Sequence, residues 1–330
     1  MMALREVSFS LWCDFIERDF LDGEFRDLIQ KGFIKGATSN PSIFASSILN
    51  SRAYQQQIVA LKGMNSKQIY EALAIEDIKK AADILKPLWN VNKDDGYISI
   101  EIDPFLGEDA GKSIDEGKRL YRTINQSNVM IKVPATQAGY EVMDELIRDN
   151  IPVNATLIFS PKQACECAEI FKNARKKPNS KQTRAVISVF VSRFDRASDL
   201  ILKEKAPHLC SKLGVLNAMK CYDLIEKNED VFMRTLFAST GVKGDDLVKN
   251  YYIDSLLFEH CVNTAPLETI RAYLKNDSSE IKKPLNLEDI DKAFGEIRDA
   301  GIDIESLYVS LMKEGLEAFM KSFEDLLHSI

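Results

Sequence analysis

Eight short apolar runs alternate along this chain with longer stretches of helical periodicity, and no other feature restricts the fold as much. The runs are 9–15, 34–39, 97–102, 129–134, 152–159, 184–191, 235–240 and 260–264. Between them lie helical stripes. Phe20, Leu21, Phe25, Leu28 and Ile29 form one within 17–31. Ile78, Ala82, Leu85 and Trp89 form another, widened by Ala81 and Leu88. Strands separated by helices lead to a parallel sheet, and eight of them predict an α/β fold closed as a parallel (β/α)8 TIM barrel. A doubly wound sheet is the alternative; the glycine-rich first turn common in such sheets is missing, although not all carry one. The 330 residues suffice for one barrel or two smaller domains. We read one barrel over 1–330, with a helical insertion over 42–95 after the second strand and additional helices over 287–330. Whether that insertion covers the amino-terminal side of the barrel or forms a lid is left open by the sequence.

In a barrel of this kind the reactive groups sit at the carboxyl ends of the strands. Asp14, Asn40, Glu101, Lys132, Asn154, Thr156 and Ser188 all fall late in their runs or just beyond them. The fourth run, Val129-Met130-Ile131-Lys132-Val133-Pro134, is the most informative. Strand side chains alternate, so Lys132 shares a face with Met130, while Val129, Ile131 and Val133 share the other. Pro134 has no N–H for the ladder and should end the strand. Lys132 is therefore expected near the end of a buried strand, where burial disfavours the ammonium and frees the amine as a nucleophile towards carbonyls.

Composition removes several alternatives. A formal charge of −7 does not fit a general nucleic-acid binder, whose footprint is basic. No apolar run approaches a membrane span, and 1–10 lacks the apolar core of a secretory signal. The six cysteines form no C-x-x-C pair and read as reduced thiols of a cytoplasmic protein. Neither they nor the three histidines have metal-site spacing, and no G-x-G-x-x-G or Walker A sequence occurs. The polar stretches 172–181 and 275–283 read as solvated connections.

An amine beside two carboxyls and a hydroxyl fits carbonyl chemistry. The amine adds to a ketone, water leaves with the help of a proton carrier, and the imine becomes an electron sink. Glu101 and Thr156 can carry the proton, and Asp14 can take one from a hydroxyl to break the adjoining carbon–carbon bond. Asn40, Asn154 and Ser188 can hold hydroxyl groups. Other readings stand beside these. Asp14 equally fits a helix N-cap, and Asn40 before Pro41 fits turn chemistry that begins a loop. Glu101 and Lys132 can form a structural ion pair. Asn154 and Thr156 can satisfy each other. Arg193 can cap a strand or pair with Asp195.

The segments Leu11-Trp12-Cys13-Asp14, Thr38-Ser39-Asn40-Pro41-Ser42, the lysine run with Pro134-Ala135-Thr136, and Val153-Asn154-Ala155-Thr156-Leu157-Ile158-Phe159 resemble signature segments of the transaldolase family. So do Ser188-Val189-Phe190-Val191-Ser192-Arg193, Ala238-Ser239-Thr240-Gly241 and Val262-Asn263-Thr264. The order is preserved over nearly the whole chain. The resemblance implies that Lys132 forms a Schiff base and that Asp14 is the acid/base group for carbon–carbon cleavage. It makes Glu101 and Thr156 a proton relay through a water. Asn40, Asn154 and Ser188 would bind the donor's hydroxyls, and Arg193 a phosphate. It implies transfer of a dihydroxyacetone unit from a ketose phosphate (sedoheptulose 7-phosphate or fructose 6-phosphate) to an aldose phosphate (glyceraldehyde 3-phosphate or erythrose 4-phosphate). That reaction belongs to the non-oxidative pentose phosphate pathway and needs no cofactor or metal. Some members carry a second phosphate-binding arginine after the seventh strand. This chain reads Ser239-Thr240-Gly241-Val242-Lys243 there, as in a longer-chain branch, and Ser239 and Lys243 are our candidate replacements. Lysine binds phosphate as a point charge without the bidentate fork.

Three rivals remain. A related aldolase would release free dihydroxyacetone; such enzymes have tyrosine where this chain resembles transaldolase with Phe190. A sugar-phosphate binder could keep the barrel without the chemistry, and a purely structural Glu101–Lys132 pair is the third. A monomer and a homodimer are both compatible with the sequence.

Overall fold

The computed structural model describes residues 9–177, 180–275 and 280–330. Eight parallel strands form one closed barrel in sequence order: β1 Ser10–Cys13, β2 Gly36–Thr38, β3 Tyr97–Glu101, β4 Val129–Pro134, β5 Val153–Ile158, β6 Ala185–Phe190, β7 Met233–Ala238 and β8 Cys261–Ala265. Pairing of β1 with both β2 and β8 leaves no exposed edge. The predicted fold is thus the observed one. The fourth strand ends at Pro134 and alternates as expected. Val129, Ile131 and Val133 pack in the core beneath the outer helices, while Met130 joins a second cluster with Trp12, Tyr97, Val186, Leu236 and Val262. These six residues form the layer inside the barrel below the polar groups, one part of a cluster that continues to Leu202, Ile290 and Phe294 on the helices. The layer closes around Trp12, which is fully buried over Gly36, where any Cβ would lie 2.6 Å from the indole.

Several local readings need correction. The stripe over 17–31 is two helices, Arg18–Asp22 and Glu24–Gln30, broken at Gly23. Glu17, not Asp14, caps the first. Asn40 starts a helix rather than a loop: its side chain accepts from the Ile43 N–H at 3.0 Å, capping Pro41–Asn50 with proline in the first turn. The stretch 172–181 is only partly a connection, because the helix Pro161–Ala174 runs into it and Arg175 is buried against Asp230. Residues 178–179 and 276–279 of the two polar stretches, and 1–8 of the segment read as lacking a signal, lie outside the described residues.

All of 42–95 lies between β2 and β3. Its main element is the helix Ser66–Val91, opened by an Asn65–Gln68 capping box. Ile78, Ala81, Ala82 and Leu85 are all fully buried, as the stripe predicted. No helix among the described residues is long and apolar enough to cross a membrane.

The C-terminal helix Ile304–Ser329 has 26 residues, a length of roughly 39 Å at the α-helical rise. It lies across the carboxyl ends of the strands. At one end Tyr308 donates to Asn217 Oδ1 at 2.9 Å, and Met312 approaches Gln163. At the other, Ser322 and Ser42 hydroxyls meet at 2.7 Å and Ser66 donates to the Ile330 carbonyl. Gly315 permits the close approach: a Cβ there would come within 2.9 Å of Leu157 and 3.3 Å of Arg193.

The helix Ser192–Lys205 is anchored by buried Asp195, which accepts from the Gly214 N–H and the Tyr252 hydroxyl, both at 2.8 Å. Burial pushes its carboxyl from the ordinary 3.8 up to about 7. A value raised on folding adds stability that is complete below about pH 4 and is lost as pH rises through about 7. Asp195→Asn can still accept from Gly214. It is expected to flatten the decline of Tm across that interval, measured by thermal unfolding at each pH; an unchanged slope contradicts this.

Candidate active site

A cavity of 190 Å³ opens at the carboxyl ends of the strands, beneath the C-terminal helix. Of the ten residues singled out from the sequence, Asp14, Asn40, Lys132, Thr156, Ser188, Arg193 and Ser239 line it. Glu101 and Asn154 sit immediately behind its wall by strand register, Glu101 opposite Lys132 and Lys132 opposite Asn154. Lys243 does not reach it. In the segment after β7 Thr240 and Val242 are buried, whereas Lys243 is exposed and faces outward.

Lys132 is 5% exposed. Its Nζ donates to the Ser39 carbonyl at 3.2 Å and lies 3.6 Å from Glu101 Oε2. The Phe319 ring, from the C-terminal helix, stands over it with its centre 5.5 Å away. Burial pushes the Glu101 carboxyl up to about 7, against the pull of Lys132 and with a smaller push from Asp14. Burial also raises Asp14 above the usual carboxylate range, opposed by the Lys132 charge and by a hydrogen bond from Thr38.

The polar groups around the amine are held by bonds that fix their roles. Thr38 Oγ1 donates to Asp14 Oδ1 at 2.6 Å, so across its 2.7 Å contact with Thr264 it must accept. Thr38 and Thr264 both line the cavity and were not singled out from the sequence. Thr38 lies in the segment that carried Asn40, at the end of its run, and position alone could have flagged it. Ser188 Oγ donates to Asn154 Oδ1 at 2.6 Å, and Asn154 Nδ2 donates to Ser99 Oγ at 3.0 Å. Asn154 therefore does not satisfy Thr156. Among the described residues, Thr156 Oγ1 and Glu101 Oε2 are buried without a hydrogen-bond partner.

Thr156 keeps the face of Asn154 by regular alternation, and an irregularity follows directly after it. The β5–β6 register shifts between Ala155 and Ile158, and Leu157 adopts φ +59°, rare for a leucine. The shift turns Leu157 into the cluster with Phe159 and Phe190, while Ile158 joins the outer core. Strict alternation would have placed them the other way round.

Arg193 stands in the first turn of its helix, with its guanidinium 5.1 Å from the Phe190 ring centre and 6.0 Å from that of Phe159. It neither caps a strand nor pairs with Asp195. Burial, with neighbouring Arg196, holds its pKa below the usual arginine value. Ser239, with φ +55°, meets Ser192 at 3.1 Å across the cavity edge. No group of three or more histidine, cysteine or carboxylate side chains is arranged to hold a metal among the described residues.

An amine, two carboxyls of raised pKa, an unpaired hydroxyl and an arginine converge here. That set can form an imine, move protons beside it and hold an anionic group. Comparison with known proteins points the same way. The pattern defining the Transaldolase/Fructose-6-phosphate aldolase family matches residues 11–330. A Helicobacter pylori (strain P12) protein named "Transaldolase" is 50% identical over 97% of this chain and 99% of its own length. A Campylobacter jejuni (strain 81-176) protein of the same name is 49% identical over 98% and 99%.

Proposed function

The chain belongs to the transaldolase/fructose-6-phosphate aldolase family, and from that premise we propose that it works as a transaldolase through an imine on Lys132. The carrying observation is the placement of the Lys132 amine, 3.6 Å from Glu101 and on the wall of the same cavity as Asp14. The amine adds to the donor's ketone. Glu101, poised near neutrality, delivers a proton to the departing hydroxyl with Thr156; among the described residues Glu101 Oε2 and Thr156 Oγ1 both lack a hydrogen-bond partner, which suits that relay. Asp14, aligned by Thr38, then takes the proton of the neighbouring hydroxyl as the carbon–carbon bond breaks. The released aldose leaves, and an acceptor aldehyde takes up the three-carbon unit by the reverse steps.

Asn40 and Ser188 face the cavity and suit the donor's hydroxyls, while Asn154 fixes Ser188 from behind. Arg193 is our phosphate ligand: it lines the cavity, and the rings of Phe190 and Phe159 hold its guanidinium. Ser239 is placed to join it. Lys243, facing outward, is not carried into this reading. The substrates we assign are sedoheptulose 7-phosphate or fructose 6-phosphate as donor, with glyceraldehyde 3-phosphate or erythrose 4-phosphate as acceptor. We assign the enzyme to the non-oxidative pentose phosphate pathway in the cytoplasm; all six cysteines being free thiols supports the latter.

Transfer is tested by supplying fructose 6-phosphate with and without erythrose 4-phosphate. The proposal requires sedoheptulose 7-phosphate with the acceptor and little free dihydroxyacetone without it. Fast release of dihydroxyacetone from the donor alone would favour the aldolase instead. Arg193→Ala is expected to raise KM for phosphorylated donors by roughly 10- to 100-fold, the range of one charge-assisted contact. Arg193→Lys should recover part of that loss. Steady-state kinetics check both, and an unchanged KM contradicts the phosphate assignment.

A further inference from the structure

We propose that Phe319 makes this site a transferase by denying water and protons to the lysine-bound three-carbon unit; the inference rests on the imine reading above. Once the carbon–carbon bond has broken, the unit is held on Lys132 as an electron-rich enamine with two exits. In one, its carbon attacks an acceptor aldehyde and a new carbon–carbon bond forms. In the other, that carbon takes a proton, water adds to the resulting imine carbon, and the C–N bond breaks. The second exit yields free dihydroxyacetone and the free amine. The proton taken at carbon is returned when water adds, so this exit consumes one water net, but both the proton and the water must reach the atoms beside Nζ.

The side of the amine facing the C-terminal helix offers neither. Phe319 is 5% exposed, lines the cavity and has its ring centre 5.5 Å from Nζ. It presents only carbon. One turn further on, Phe323 is 2% exposed and stacks edge-on against Tyr70 at 5.0 Å. Phe323 also lines a separate, smaller cavity of 20 Å³ in which Glu101 takes part. The two rings, spaced four residues apart on one helix face, thus stand over Lys132 and over the side of Glu101 away from the substrate. The helix is held in place by Gly315 packed on Leu157 and by the Ser42–Ser322 contact. The step that separates the two exits is protonation of the enamine carbon, and an apolar ring on that side withholds the water that would carry the proton.

The test is the partition between free dihydroxyacetone and transferred product, with fructose 6-phosphate as donor and erythrose 4-phosphate as acceptor. Phe319→Ala is expected to raise the ratio of release to transfer about tenfold, a modest change in relative barrier height. Phe319→Leu, which keeps the apolar cover, should leave it near the wild-type ratio. Phe319→His retains a planar ring for helix packing but brings a polar nitrogen beside the amine. It should raise the ratio as well, so the inference stays testable if the alanine variant does not fold. An unchanged ratio in the folded alanine or histidine variant, with borohydride still labelling Lys132, would overturn the inference and leave the imine reading intact. Failure of the wild-type protein to be labelled would overturn that reading instead.

Discussion

Lys132→Met is expected to lose transfer activity by a factor on the order of 10⁴ or more while the barrel stays folded. The loss follows from chemistry: a thioether cannot form an imine, and among the described residues no second amine lines the cavity. Persistence of the fold follows from the electrostatics of the pair. Stranding one member of a buried ion pair typically costs ~3–5 kcal/mol, because a bare charge stays in the interior. Here the stranded group is Glu101, which burial already pushes up to about 7. Without Lys132 it takes up a proton near neutral pH, and methionine fills the space of the lysine stem. A destabilisation below ~2 kcal/mol is expected in denaturant unfolding. Loss of folding together with activity would favour a structural role for the Glu101–Lys132 pair.

Asp14→Asn is expected to lower kcat by about 10³-fold, within the range for removing a positioned general base. Imine formation should survive, because its proton carriers are Glu101 and Thr156, and the Thr38 hydroxyl can still donate to the amide oxygen. The donor would then stall as an uncleaved adduct. Borohydride followed by intact mass should show the whole ketose phosphate on the variant. The wild-type protein should carry the three-carbon unit once the aldose has departed. A three-carbon adduct formed at an undiminished rate on Asp14→Asn would remove Asp14 from the cleavage step.

Much of this site could be read from the sequence because strand alternation and strand ends are local properties. Lys132 and Met130 point inward because Val129, Ile131 and Val133 must face the helices, and Pro134 cannot continue the ladder. Short β8, closed by Pro266, was legible for the same reason. What escaped depends on contacts far apart in sequence. The sequence predicts helices over 287–330 but does not say what they cover. Nothing in it marks Phe319, which stands over Lys132. Asn40 passed for a loop residue because the pull of proline on its neighbour is the same whether a turn or a helix follows. Strict alternation failed at Leu157, where one residue at positive φ shifts the register beside Thr156. Lys243 attracted attention by charge and by its place after the seventh strand. Reach depends on the path of the intervening backbone, and that path buries Val242 and turns Lys243 outward.

The most direct measurement is reductive trapping: incubation with fructose 6-phosphate and borohydride, then peptide mapping. A stable mass increase confined to the peptide containing Lys132, and absent from Lys132→Met, is the predicted result. An unmodified Lys132 peptide under conditions of full turnover, or a label on another lysine, would contradict it.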